Sequence, residues 1–441
     1  YEALITIGDY YMQWAEQDPA QYENARRAYA GLIQQRGENN ELLFRMLRYF
    51  IRVDNQPQVT LLKDLFESDE SIDIEPDIYA ELAGYLMDKG DLDDVNSILF
   101  RTLDTDSLLP ELHYQFARYY RMIERPLSEE RALTNARALY EQEAPLSRRG
   151  LQQLLDTYGR QGEYYYSEGE TLNAQEALST GIARYERALD QELIAPHSRF
   201  GRMYERMGNI LYYDYARYED ALANYDQAER NGYSDLEMDY RQGYVRYRRA
   251  NYEAALNDFH DAAGIFSTQR NLLFATANAQ YQRGSYFIAE GLYREILGTL
   301  LSERNRIQNL LVEEDPEHEA PVEYLIKVQN NLGVTLYQLS EATGDGRRYT
   351  QALFYLSNSS EYFQNYLRNP ATAVRTARRD LAFSNQEAIL GRNPNADVAL
   401  YLDIPQDFDD LVFGPRPWDD DWQVGVPSES GATGTSEADA S

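Results

Sequence analysis

Cysteine is missing from all 441 residues, which excludes disulfides, thiolate metal sites and cysteine nucleophiles. The absence suits an oxidising compartment and a reducing one alike. Histidine is almost missing: His113, His197, His260 and His318 lie far apart. None has a second histidine or a carboxylate at a metal-motif spacing, so they read as ordinary surface or helix histidines. Lysine is limited to Lys63, Lys89 and Lys327. The other bases are arginines, suited to planar pairing with carboxylates, although codon composition would give the same bias. No apolar run approaches the ~18 residues of a membrane span, and no glycine-rich loop is spaced to cradle a phosphate. Strand signals are sparse, because valine is uncommon and period-2 alternation never persists.

Acid, by contrast, is abundant. Asp and Glu number 73 against 42 Lys and Arg, for a net charge of −31, and such a field repels phosphate backbones and anionic lipid heads. Nucleic acid and membrane insertion are therefore set aside, and other proteins remain as partners. The acidic runs Asp403, Asp407, Asp409, Asp410 and Asp419 to Asp421 lack the glycine and terminal Glu of a calcium loop and read as solvated. No cofactor, metal or catalytic constellation is expected. An apolar fraction of 43% is enough to bury a core, while a mean hydropathy of −0.64 fits an open repeat array with much wet surface. The chain starts at Tyr1 with helical pattern at once, and reads as a piece of a longer protein.

Helix-type spacing dominates, and it repeats. Tyr218-Glu219-Asp220-Ala221, Tyr252-Glu253-Ala254-Ala255 and Tyr286-Phe287-Ile288-Ala289 align without a gap, with their alanines 34 residues apart. The match continues on one helix face to Tyr225, Phe259 and Tyr293, then to Ala228, Ala262 and Ile296. Upstream, Gly208, Gly243 and Ala277 occupy the small position where a first helix is closely approached by the second. These residues resemble the tetratricopeptide repeat family, and Tyr240 to Ala262 match it best, with Gly243, Tyr252, Ala255, Phe259 and Ala262 at motif positions 8, 17, 20, 24 and 27. An earlier segment, Tyr79 to Leu92, fits as well.

The resemblance implies an all-α fold, a right-handed α-solenoid of about eight or nine helical hairpins with a C-terminal capping helix and an acidic tail. Irregular hairpins are expected over 1–199, a regular block over 200–301, a lengthened helix with a further hairpin and a capping helix to about Leu390 over 302–394, and a tail over 395–441. A proline stop is expected at Asn55-Gln56-Pro57. The tail carries eleven acidic residues and one Arg and reads as largely disordered. In it, Phe408, Phe413, Trp418 and Trp422 are interleaved with aspartates, which suits either a docking segment or a solvated linker.

The family resemblance also implies that first-helix positions 2, 5, 9, 12 and 13 line a partner-binding groove. Here they hold Tyr212, Tyr247, Tyr281 and Tyr337 at position 12, Tyr240, Tyr244, Phe274, Asn209, Asn278 and Asn330 at positions 5 and 9, and Arg248 at position 13, with Tyr213 alongside. Tyrosine gives contact area at low entropy cost, and asparagine can hold an extended peptide by its backbone; the same residue types also serve plain packing in this family. The function expected is a non-catalytic scaffold for a multiprotein hetero-assembly, or alternatively a soluble adaptor gripping an exchangeable client. Val328 to Tyr337 with Gly344-Asp345 and Tyr355 to Ser359 is similar to the tetratricopeptide-containing collar proteins of spirochaete periplasmic flagella, which implies a periplasmic site; a cytoplasmic one is the alternative.

Overall fold

A computed structural model describes residues 2–15, 18–36, 39–68, 75–143, 145–266, 270–302, 319–367, 380–391 and 400–403. Among the described residues there are nineteen helices and no strand. They divide into two compact units. One holds the described residues up to Tyr215 together with Arg230–Gly232; the other holds Ala216–Glu229 and the described residues from Tyr233 on.

In the first unit, consecutive helices pack in pairs: α1 (Glu2–Ala15) with α2 (Gln21–Arg36), α3 (Asn40–Arg52) with α4 (Gln56–Ser68), α5 (Pro76–Asp88) with α6 (Val95–Thr105), α7 (Pro110–Met122) with α8 (Pro126–Gln142), and α9 (Arg148–Ser167) with α10 (Thr171–Asp190). Helix α11 (Ser198–Tyr213) follows and packs on α10 and α9. Helix α12 (Tyr218–Arg230) begins the second unit. There α13 (Leu236–Arg248) pairs with α14 (Tyr252–Phe266), α15 (Arg270–Gln282) with α16 (Tyr286–Ser302), and α17 (Glu319–Thr343) with α18 (Gly346–Leu367), on which α19 (Leu381–Leu390) lies. These are helical hairpins of the tetratricopeptide type.

Their ends follow from local chemistry. Asn39, Ser147, Asp235 and Asp380 each accept a hydrogen bond from a backbone N–H in the following first turn, satisfying a donor that the helix leaves unpaired. Pro76, Pro110 and Pro126 open α5, α7 and α8, where the missing N–H costs nothing. The stop expected at Asn55-Gln56-Pro57 is where α3 gives way to α4, with Pro57 in the first turn of α4. The capping helix expected to about Leu390 is present as α19; its proposed start at Asn369-Pro370 lies outside the described residues, as do residues 303–318.

The 34-residue pattern is the packing seam of the second unit. Ala221, Ala255 and Ala289 are fully buried, and so are Tyr225, Phe259 and Tyr293 one turn later, each ring contributing about 2–3 kcal/mol of burial. The small position opposite is needed for space: a Cβ on Gly243 would stand 2.6 Å from the Phe259 ring and 3.2 Å from the Asp258 Cβ. Gly243→Val should therefore cost about 1–3 kcal/mol by overpacking. Urea denaturation checks this, and an unchanged midpoint would mean that α13 and α14 are not so closely applied.

Across the first unit, alternate helices are joined by arginine and carboxylate. Arg45 on α3 meets Glu75 at 2.6 Å and Asp9 on α1. Arg48 and Arg52 meet Asp77 and Glu81 on α5, and Arg118 on α7 meets Asp88. Arg149 on α9 meets Glu111 on α7 and Glu81, and Arg199 and Arg206 on α11 meet Asp156 and Glu163 on α9. Burial by itself would raise the Glu81 carboxyl, but Arg149, Arg52 and Arg48 bring it down to about 2. Asp156, buried between Arg199 and Arg160, is likewise held well below the ordinary carboxylate range.

Candidate peptide-binding groove

Four asparagines in the second unit form one amide network. Asn278 is on α15, Asn330 and Asn331 are on α17, and Asn385 is on α19; all four are fully buried. Asn331 Nδ2 donates to Asn278 Oδ1 at 3.0 Å, and Asn385 Nδ2 to Asn330 Oδ1 at 2.8 Å. The Tyr293 hydroxyl donates to Asn278 Oδ1 at 2.5 Å, and Asn278 Nδ2 reaches the Tyr247 hydroxyl at 3.5 Å. A buried primary amide must satisfy two donors and a carbonyl, and amides in a row do so for each other only in part.

The remaining valences are met by the chain itself. Residues 400–403, without helical structure, lie across the amides. The Tyr401 N–H donates to Asn385 Oδ1 at 2.8 Å while Asn385 Nδ2 donates to the Tyr401 carbonyl at 2.7 Å. Two residues on, the Asp403 N–H donates to Asn331 Oδ1 at 2.7 Å, and its carbonyl accepts from Asn331 Nδ2 at 2.9 Å and Asn278 Nδ2 at 2.7 Å. Asn330 Nδ2 adds bonds to the Tyr401 carbonyl at 3.2 Å and to Asp403 Oδ2 at 3.0 Å. Asn385 and Asn331 thus each clasp both backbone groups of one residue, at a spacing of two, which is how a neighbouring strand reads an extended chain. Between these contacts Leu400 and Leu402 pack on the core cluster formed by α15 to α19, while the Tyr401 ring is half exposed.

Two of these asparagines, Asn278 and Asn330, are among the groove positions named from the sequence; Asn331 and Asn385 are not. Asn331 differs from its neighbour only by one helical step, and α19 lies outside the repeat pattern that assigned the positions. Residues 400–403 fall in the stretch read from the sequence as a largely disordered tail, and they are held at their backbone. Phe408, Phe413, Trp418 and Trp422 lie outside the described residues.

The tyrosines named from the repeat positions are mostly buried, each against its own hairpin. Tyr247 meets Tyr252 at a ring separation of 5.5 Å, Tyr281 meets Tyr286 at 5.1 Å, and Tyr337 meets Tyr349 at 6.3 Å. Tyr240 packs on Phe259, and Phe274 on Tyr293 and Tyr324. Arg248 donates to the Tyr244 hydroxyl at 3.2 Å. Burial pushes the Tyr281 phenol up to about 12 and holds the Tyr293 phenol well above its ordinary value, so Tyr293 is a hydrogen-bond donor to Asn278 at any ordinary pH. Asn209, Tyr212 and Tyr213 belong to the first unit. There Asn209 donates to Glu205, and Tyr213 is exposed beside Tyr212.

The first unit has a pocket of its own, about 90 Å³, whose wall includes Arg52, Glu81, Arg118, Arg149 and Gln153. Its charged heads are paired within the wall: Arg52 with Glu81, Arg118 with Asp88, Lys89 with Asp54 and Arg149 with Glu81. Such a pocket offers less to a ligand than a row of amides that reaches for a backbone.

The hairpin array, with its small, alanine and aromatic positions in register, is that of a tetratricopeptide-type repeat protein. No family model matches the chain, and no curated protein matches it. Solved structures give distant likenesses. A signal transduction ATPase with numerous domains from Pyrococcus horikoshii, which carries a tetratricopeptide repeat sensor, is 14% identical over 83% of this chain and 53% of that one, with a TM-score of 0.43. The pilF protein of Pseudomonas aeruginosa is 14% identical over 56% of this chain and 95% of that one, with a TM-score of 0.38. YrrB, a TPR protein with an unusual peptide-binding site, is 15% identical over 48% of this chain and 96% of that one, with a TM-score of 0.34. Fold and groove rest on the packing and hydrogen bonds above.

Proposed function

We propose that this chain is a non-catalytic protein-binding scaffold or adaptor, and that its second unit grips partners as extended segments through Asn278, Asn330, Asn331 and Asn385. The observation that carries the reading is the double clasp of Asn385 and Asn331 on the backbone of Tyr401 and Asp403. Main-chain hydrogen bonds supply affinity without regard to sequence, and the pockets under alternate side chains supply choice. The buried tyrosines support the amides from behind, as Tyr247 and Tyr293 do for Asn278, and Tyr213 in the first unit offers an exposed ring to a partner. Among the described residues no helix is long and apolar enough to cross a membrane, and the net charge of −31 favours protein over nucleic acid as the partner. Membership of a hetero-assembly is part of the proposal. A place in a spirochaete flagellar collar, and with it a periplasmic site, is its finer form; that rests on the likeness of residues 328–359 alone.

The test is recovery of cross-linked partners on the full chain from its native source, compared between the wild type and Asn331→Ala/Asn385→Ala. Each clasp is worth about 2 kcal/mol, two hydrogen bonds at about 1 kcal/mol each. Partners held through the groove should be lost from the double variant while its helical circular dichroism is unchanged. An identical set of partners from both proteins would remove the groove from the reading.

A further inference from the structure

We propose that residues 400–403 are a built-in competitor: the groove is made for client segments of the pattern apolar, non-proline, apolar, acidic, and the chain's own Leu400-Tyr401-Leu402-Asp403 must leave before a client can enter. The inference rests on the peptide-gripping reading above and adds to it both a client chemistry and a gate.

The client pattern follows from what the occupant uses. Backbone groups of the second and fourth residues are taken by amides, so proline, which has no N–H, is excluded from both places. Leu400 and Leu402 point onto the apolar cluster, as alternate residues of an extended chain must. The fourth residue is read twice, by its backbone and by the Asn330 amide on its carboxylate; an amide donor accepts an acid there and offers nothing to an apolar side chain.

The gate follows from tethering. Leu390 ends α19, which carries Asn385, and only nine residues separate it from Leu400. A segment so near the groove in sequence competes at a local concentration in the millimolar range. The four amides are also fully buried under it, and buried amides stripped of partners are costly, so the groove is seldom empty and exchange is by replacement.

The experiment uses the full chain and a fluorescent peptide copying residues 397–406. Binding is measured by polarisation to the wild type, to Leu400→Ser/Leu402→Ser, and to Tyr401→Pro, which removes the N–H taken by Asn385 and leaves the apolar contacts alone. Both variants should bind the peptide at least about tenfold more tightly than the wild type, and adding Asn331→Ala/Asn385→Ala to either should abolish that binding. Equal affinity of wild type and both variants would overturn the built-in competitor and leave the groove standing. No binding by either variant, with helical content intact, would overturn the groove reading and this inference together. A peptide with its two leucines changed to serine should fail to bind the released chains; undiminished binding would overturn the client pattern.

Discussion

Asp156→Ala should destabilise the first unit by about 3–5 kcal/mol, the largest single-residue effect expected in this chain. The carboxylate is buried and shared: Arg160 donates to it at 3.0 Å from the same helix, Arg199 pairs with it from α11, and the Tyr114 hydroxyl donates at 2.6 Å from α7. Removal leaves two buried guanidinium groups and a phenol without the acceptor they converge on, and that orphaning, rather than the lost attraction, sets the size of the loss. Asp156→Asn keeps an acceptor for Tyr114 but not the charge, and should fall between the alanine variant and the wild type. Chemical denaturation with hydrogen exchange read in α7, α9 and α11 checks this. A loss below about 1 kcal/mol would mean that the two arginines find other partners.

The second large effect is a divergent response to acid. In the first unit Asp156 and Glu81 are held below their ordinary values of 3.8 and 4.5, so they stabilise the fold above about pH 4.5. That contribution, about 2–3 kcal/mol for each, is lost as the pH falls towards 2. In the second unit the reverse holds. Burial, with Glu229 and Asp261 nearby, pushes the Asp239 carboxyl up to about 7, and burial raises Asp258 to about 6 against the pull of Arg246. A folded carboxyl that holds its proton more tightly than the unfolded one destabilises the fold progressively as pH rises from about 4 to about 7. At Asp239, which is only partly buried, water screens the effect to on the order of 1 kcal/mol. The protection of α13 and α14 amides, relative to their intrinsic exchange at each pH, should therefore be higher at pH 5 than at pH 7.5, while that of α5 and α9 falls below pH 4. Asp239→Asn should flatten the first trend, and parallel pH profiles for the two sets of helices would contradict the assignment.

Much of the repeat was legible in the sequence because its requirements are local. Ala255, Phe259 and Ala262 share a face by helical spacing, and Gly243 is small because Phe259 needs its place. Asn278 and Asn330 could be named because the family resemblance fixes which first-helix positions are inner. The clasp itself was not legible, for three physical reasons. Asn385 sits on a helix with no repeat register to count from. Asn331 is one step from Asn330, and only the occupant's backbone makes it the more important of the two. Leu400 to Asp403 show alternation over just four residues, too few to stand out from an acidic stretch. The arginine ladder of the first unit escaped for another reason: its partners lie some thirty to forty residues apart, as in Arg52 and Glu81 or Arg199 and Asp156, at separations set by hairpin length, which varies there.

That ladder bears on how such an array can change over time. Repeat proteins ordinarily grow and shrink by whole units, since one apolar seam suits another. Here inserting or deleting a hairpin between α3 and α11 would separate an arginine from its own carboxylate and leave both without their partners. The alanine contacts of Ala221, Ala255 and Ala289 in the second unit carry no such pairing; the charged seam of the first unit does. The number and order of hairpins in the first unit are therefore under a constraint that apolar packing alone never imposes.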